Sequence, residues 1–464
     1  MRVLETLSWE EIARAMGAQA LGETRGAAFG GSIDTRTLQP GDIFFALRGE
    51  HVDGHDYLDR ALERGASCAV VKAKVLAPAG LFRLIVPDPE SALFELGRLI
   101  RAKTSARVVA ITGSTGKTTT KEFTAELLRV RGGVLATAGN LNNHLGVPLT
   151  LTRLETTHWA AVVECGMSRL GELSRLSHLL RPDVAAVTNV AAAHLESFES
   201  IDQIARAKAE IFDGLSGLGA AVAPADDQRL AVPAQRAAHD RRRLFGEGPS
   251  TSVWAETLSM TLDGTSLLLN IEGAAAVPAR LTTPGSHAVS NFLAAATIAL
   301  ALGLSPAEIA QRAPLLKSPG NRGGLRRLSD DIVLIDDSYN SSPRAVIAAV
   351  DTLALATGRR LVACLGDMLE LGSQGPELHR STGAAIASKV DLLLGVGPLG
   401  AEMVRAAKAL PEGSKKAFTD STAMAAQIGA LVNAHDAILV KGSRGVRMER
   451  VVEALVAAHP QVSA

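Results

Sequence analysis

The sequence predicts an α/β protein of three domains in series, on three observations. A strand-like apolar run that ends in a glycine-rich loop and opens a helical pattern stands at residues 108–131. On both sides of it, short apolar runs alternate with helical stretches, which argues mostly parallel sheets covered by helices. The chain has 464 residues, about three domains of ordinary size. The boundaries fall at 1–103, 104–318 and 319–464.

In the first block Ile43–Leu47 reads as a strand, Asp56–Arg64 as an amphipathic helix, Cys68–Val71 as a strand and Ser91–Lys103 as a helix leading out. The second block opens with the strand at Val108, continues with a helix over Lys121–Arg131, and adds strands at Ala160–Val163 and Val184–Val187. In the third block, strands at Ile332–Ile335, Leu361–Leu365, Leu392–Val396 and Ile438–Val440 alternate with helical stretches after Pro343, Gly375, Pro398 and Thr419. That alternation is a doubly wound, Rossmann-like pattern.

Composition excludes several functions. Lys+Arg and Asp+Glu are 48 each, so no large basic field serves nucleic acid or an anionic membrane. Aromatic residues make up 3%, too few for a base-stacking platform. The basic run Arg241-Arg242-Arg243 reads as a solvated loop or helix face. Cys68, Cys165 and Cys364 are widely spaced, as small buried hydrophobes in a reducing compartment would be. Glu5, Glu10 and Glu11 stand where a signal peptide has its apolar core. The apolar stretch Phe292–Leu302 falls short of the roughly 20 residues of a bilayer span and reads as a buried helix. A cytoplasmic protein without membrane insertion or nucleic-acid partners is expected, and a monomer.

Chemistry concentrates in Gly113-Ser114-Thr115-Gly116-Lys117-Thr118-Thr119. A strand ending in such a loop and opening a helix aims backbone N–H groups and the positive helix end at one spot, which suits a polyphosphate. Lys117 can reach the β- and γ-phosphates and the Thr118 hydroxyl can ligate Mg²⁺. Ile111 occupies the place of the first glycine of the longer P-loop pattern, so this is the compact form.

Other candidates end apolar runs, where ligands sit in open α/β sheets. Glu164 could hold Mg²⁺ opposite Thr118, or be a solvated carboxylate. His194 and Lys208 follow the next strand, and spacing alone favours structural roles for both. The loop Gly139–Pro148 carries Asn140, Asn142 and Asn143, amides that both donate and accept and so suit a peptide or carboxylate. Asp336–Asn340, Gly366–Gly372 and Lys441–Gly445 put charged groups on one edge of the third sheet, a second half-site facing the P-loop.

Taken together these segments resemble the Mur ligase family along nearly the whole chain and in order. The resemblance rests on Ser32-Ile33-Asp34-Thr35-Arg36, the stretch from Ala46 to His55, the compact P-loop, Asn140–Pro148, Glu164–Ser168, His194-Leu195-Glu196, Lys208, Pro284–His287 with Asn291, Asp336–Asn340 and Lys441–Gly445 with Met448-Glu449. It implies a UDP-binding first domain, a P-loop ATPase-type central domain with a mostly parallel sheet, and a Rossmann-like third domain. It also implies an ATP-dependent amide ligase that joins D-alanyl-D-alanine to a UDP-N-acetylmuramoyl tripeptide through an acyl phosphate, with ATP, Mg²⁺ (two ions) and CO₂ as cofactors.

By the same resemblance, Lys117 and Thr118 hold the triphosphate and the first Mg²⁺, and Glu164 is a further ligand. Lys208 carries CO₂ as a carbamate toward a second Mg²⁺, with His194 nearby. Asn291 contacts adenine, and Asp337, Tyr339 and Asn340 reach the nucleotide from the third domain. Arg322, with Arg326 as the alternative, touches the phosphates. Ser32, Thr35, Arg36, Lys441 and Ser443 are implied substrate contacts, and Ser341-Ser342-Pro343 departs from the family's Ala-Asn-Pro.

Two rivals stay open. A sister ligase adding a diaminoacid usually shows Asp-Asn-Pro-Arg, which does not occur here, and a folylpolyglutamate synthase-like enzyme would lack the Asp34-Thr35-Arg36 signature. A P-loop switch or motor would turn over nucleotide without either peptide.

Overall fold

Three sheets, each flanked by helices, follow one another along the chain in a computed structural model that describes residues 1–24, 26–73, 75–191, 198, 200–231, 233–236 and 239–462. The first sheet has the order Gln19–Leu21, Arg83–Ile85, Cys68–Val71, Asp42–Phe45, Gly30–Ser32. Only the Gln19–Leu21 pairing is antiparallel.

The central sheet runs Gly133–Ala136, His158–Glu164, Arg107–Thr112, Val184–Val187, Ala220–Pro224, Arg242–Gly246, Val253–Thr261 in parallel. It ends in an antiparallel ribbon, Gly264–Ile271 and Val277–Leu281. The strand Arg107–Thr112 lies between His158–Glu164 and Val184–Val187, so the glycine-rich loop emerges flanked by Glu164 on one side and Thr188 on the other. Parallel strands covered on both faces read as unbroken apolar runs, which is why Arg107–Thr112, His158–Glu164 and Val184–Val187 were visible in the sequence. The ribbon was not read from the sequence. Arg242 and Arg243 open a parallel strand rather than a solvated loop or helix face, because their pairing with Ala221 and Val222 satisfies the backbone while the long side chains lie half-buried at its start.

The C-terminal sheet has the order Gly324–Arg327, Val333–Asp337, Ala437–Lys441, Leu361–Gly366, Leu392–Val396, Lys415–Phe418, parallel except at its first edge. Its two faces form separate apolar cores. Leu262, at the tip of the central ribbon, joins one of them. A larger core runs continuously from Ile43, Phe45 and Val70 of the first sheet to Val108, Ala110 and Val163 of the central one.

The helix predicted over Lys121–Arg131 runs from Lys117 to Leu128. The stretch read as a buried helix is Ser286–Ala301, packed against the other face of the central sheet. Among the described residues no helix is long and apolar enough to cross a membrane.

Candidate active site

The glycine-rich loop turns tightly because two of its residues are glycine. Gly113 has φ 152° and Gly116 φ 76°, values that L side chains rarely adopt. A Cβ on Gly113 would stand 1.9 Å from Thr188 Oγ1, and one on Gly116 2.2 Å from Asn291 Oδ1. The loop is pinned from the neighbouring strand end: Thr115 N–H donates to Asn189 Oδ1 (3.0 Å), Ser114 N–H to the Asn189 carbonyl (3.0 Å), and Thr188 Oγ1 to the Thr115 carbonyl (2.6 Å). The Ser114 and Thr115 amides are thereby used inside the fold. The first N–H groups of the helix from Lys117 remain for an anion, together with the helix dipole.

Lys117 Nζ donates to the Gly113 carbonyl at 2.7 Å and the Ser114 carbonyl at 3.3 Å. Burial pushes its pKa down, Glu164 and Glu370 pull it up, and Arg322 pushes it further down. Groups from the central and C-terminal modules therefore act on one ammonium.

Next to it, Thr118 Oγ1 donates to Glu164 Oε2 at 2.8 Å, and Asn142 Nδ2 donates to Glu164 Oε1 at 2.8 Å. Hydroxyl, carboxylate and amide oxygens are hard donors, the set that suits Mg²⁺. Thr120 Oγ1 donates to Asn291 Oδ1 at 3.3 Å, which ties the predicted adenine residue to the P-loop helix. Of the other two loop amides, Asn143 is spent on capping: its Oδ1 accepts the Leu145 and Gly146 N–H groups, while Asn140 is exposed.

Lys208 lies on the helix Ile201–Ala209 and is almost completely buried. Burial and then the positive charge of Lys117 push its pKa well below the ordinary lysine value. His194, with Leu195 and Glu196, lies outside the described residues.

From the C-terminal module, Lys441 Nζ donates to Asp337 Oδ2 (2.5 Å) and to the Asn340 carbonyl (2.8 Å). Two guanidinium groups lie over the Tyr339 ring, Arg322 at 3.8 Å and Arg444 at 5.5 Å from its centroid. Arg326 is ion-paired with buried Asp336 at 2.6 Å, which leaves Arg322 as the arginine within the field of Lys117. Ser443 Oγ accepts the Leu369 N–H at 2.8 Å. The Ser341 and Ser342 hydroxyls are buried without a partner among the described residues.

In the first module Ser32 Oγ donates to the Asp34 carbonyl (2.9 Å), Thr35 is buried, and the exposed Arg36 forks onto the Asp34 carboxylate, which holds that carboxyl below its usual range. Sequence reading missed Arg153, which clamps Asp42 with two hydrogen bonds (2.9 and 2.7 Å) and so joins the first module to the central one. It also missed Lys121 and Thr137 beneath Glu164. Residues so far apart along the chain give no local signal.

Against known proteins, the chain matches three family models: "Mur ligase family, catalytic domain" over residues 30–98, "Mur ligase middle domain" over 111–299 and "Mur ligase, glutamate ligase domain" over 321–444. It is 38% identical over 429 residues to the UDP-N-acetylmuramoyl-tripeptide–D-alanyl-D-alanine ligase of Escherichia coli (strain K12), covering 91% of this chain and 93% of that protein. Among solved structures, a crystal structure of MurF from Acinetobacter baumannii superposes with a TM-score of 0.87 at 30% identity, covering 97% of this chain and 98% of that one. MurF ligase from Thermotoga maritima in complex with ADP superposes with a TM-score of 0.80 at 27% identity, covering 92% and 97%.

Proposed function

The chain belongs to the Mur ligase family, and from that premise we propose that it joins D-alanyl-D-alanine to UDP-N-acetylmuramoyl-tripeptide, with ATP converted to ADP and phosphate. The observation that carries the reading is the convergence of Lys117, Thr118 and Glu164 at the carboxyl edge of the central sheet, within the field of Arg322 from the C-terminal module. We divide the chain at 1–103, 104–318 and 319–464, each segment holding one sheet.

A carboxylate oxygen of the tripeptide attacks the γ-phosphorus, the bond to ADP breaks, and an acyl phosphate forms. The neutral amine of the dipeptide then attacks the acyl carbon, the C–O bond to phosphate breaks, and the amide nitrogen loses a proton. Two anions must meet in the first step. Lys117, Arg322 and the helix N-terminus over Gly113–Thr119 offset that repulsion, so positioning and electrostatics supply most of the acceleration. Thr118 and Glu164 would hold Mg²⁺, which when bound neutralises charge on the phosphates. Asn291, Asp337, Tyr339 and Asn340 would contact the rest of the nucleotide.

Lys208 is read as the site of a carbamate: its nitrogen bonds to the carbon of CO₂ and releases one proton, leaving an anion near Lys117. Only a neutral amine can do this, and the burial that depresses the Lys208 pKa favours that form. His194 is placed with it as a metal ligand by family resemblance alone.

Ser32, Thr35 and Arg36 are assigned to the UDP moiety, Asn140 and Asn142 to the tripeptide end, and Lys441 and Ser443 to the incoming dipeptide. Ser341 and Ser342, whose buried hydroxyls have no partner among the described residues, follow Asn340, whose carbonyl accepts from Lys441 Nζ. Three buried free cysteines and an ATP- and UDP-linked chemistry support a cytoplasmic protein. A monomer is proposed, since the described residues assigned to the site all come from one chain.

The deciding experiment measures phosphate release with UDP-muramoyl tripeptides ending in lysine or meso-diaminopimelate, with and without D-alanyl-D-alanine. Release only when both substrates are present is expected. Steady release from ATP alone would favour a switch or motor, and release with a free diaminoacid and the UDP-muramoyl peptide one residue shorter would favour the sister ligase.

A further inference from the structure

We infer that Lys121 and Thr137 are positioning residues that set Glu164 against Thr118. This rests on the reading that Thr118 and Glu164 hold the divalent cation. Lys121 lies on the P-loop helix, one turn beyond Lys117, and its side chain is almost completely buried. Its Nζ donates to the Thr137 carbonyl at 2.6 Å and pairs with the half-exposed Glu122 at 2.6 Å. Thr137 continues the strand Gly133–Ala136, its own N–H donating to the Val162 carbonyl at 3.1 Å. The Thr137 hydroxyl accepts the Glu164 N–H at 2.9 Å. Glu164 then accepts the Thr118 hydroxyl at 2.8 Å, and Thr118 returns to the helix that carries Lys121.

These bonds close a ring of helix, edge strand and neighbouring strand around the Thr118 and Glu164 oxygens assigned to the cation. The hydroxyl and the carboxylate come from different elements, so their separation depends on how the helix sits against the strands. Lys121 fixes that seating from inside. Burying an ammonium is costly unless it is bonded, and a methionine of similar length would fill the space more cheaply. What methionine cannot do is donate to the Thr137 carbonyl, and this is the property we assign to the lysine. Groups that orient metal ligands typically change metal affinity by about 10-fold or more when lost.

The test uses the full chain with ADP and Mn²⁺, reading bound Mn²⁺ by electron paramagnetic resonance and ADP affinity in EDTA by calorimetry. Lys121→Met and Thr137→Val are each expected to weaken Mn²⁺ binding about 10-fold and leave metal-free ADP affinity unchanged. Lys121→Arg, which keeps a donor, should retain most of the Mn²⁺ affinity. Glu164→Gln serves as the control. If Glu164→Gln loses Mn²⁺ while Lys121→Met and Thr137→Val keep it, the positioning role is wrong and the metal site stands. If Glu164→Gln also keeps Mn²⁺, the metal-site reading falls and takes this inference with it. Parallel loss of metal-free ADP affinity would mark a general structural role and overturn the proposal. Should Lys121→Met fail to fold, Thr137→Val decides alone.

Discussion

Arg322 lies over the ring of Tyr339 at 3.8 Å from its centroid, and Arg444 approaches the same ring at 5.5 Å. Stacking restrains a flexible cation without neutralising it, so the charge stays available to an anion. Arg326, four residues on, has its charge committed to Asp336.

The two arginines should therefore fail differently. Arg322→Ala is expected to lower kcat by about 100-fold or more with little change in melting temperature. Arg326→Ala leaves Asp336 buried without its partner and should cost about 2–4 kcal/mol of stability, with a smaller effect on kcat in the folded fraction. Steady-state kinetics beside denaturant titration separates them, and a collapse of kcat confined to Arg326→Ala would reverse the assignment.

A methyl group added to the P-loop offers a second check. Gly116→Ala places a Cβ against Asn291 Oδ1 at a left-handed φ, and should weaken binding of a fluorescent ATP analogue by at least about 10-fold. Gly17→Ala, also left-handed but with nothing within 4 Å, should cost about 1 kcal/mol of stability and leave nucleotide affinity alone.

Lys208→Ala removes the proposed carbamate. Ligation should fall by about 100-fold and recover in part when a short carboxylic acid is added, since a free carboxylate can occupy the vacated position. Full activity without added acid would remove the carbamate from the mechanism.

Buried histidines predict a pH dependence of stability. His379 Nε2 accepts the Met368 N–H at 2.8 Å and Nδ1 faces the Gly375 carbonyl at 2.6 Å, so the neutral ring is held by both nitrogens. Burial lowers its pKa, and likewise that of His287 and His158. As pH falls through about 6.5 the unfolded chain takes up protons that the folded chain refuses, so stability is full above that value and declines below it. Denaturant titrations between pH 7.5 and 5 should show the decline, and His379→Gln should flatten it while costing about 2–3 kcal/mol at pH 7.5.

The sequence showed the fold wherever burial on both faces made a strand a continuous apolar run: Cys68–Val71, Val184–Val187 and Leu392–Val396 match the structure end for end. Gly30–Ser32 escaped because its residues carry no apolar signal, and Arg242–Gly246 because its charged start reads as solvent-facing. At the site, Lys117, Thr118 and Glu164 were legible because a P-loop and a strand end are local patterns. Lys121 was not: the first turn of its helix is buried on every side, Thr118 to Lys121, so periodicity cannot single out one residue. The bond from Asn142 to Glu164 was not legible either, a pairing across 22 residues that only folding creates.

The apolar core shared by Ile43, Val70, Val108 and Ala110 joins one face of the first sheet to one face of the central sheet, while the opposite faces keep cores of their own. Melting either sheet would expose the shared core, which couples them as one cooperative unit, while the C-terminal module, whose two cores take only Leu262 from outside it, is a second. Scanning calorimetry should resolve two endotherms rather than three, and a nucleotide bound as proposed should draw them together.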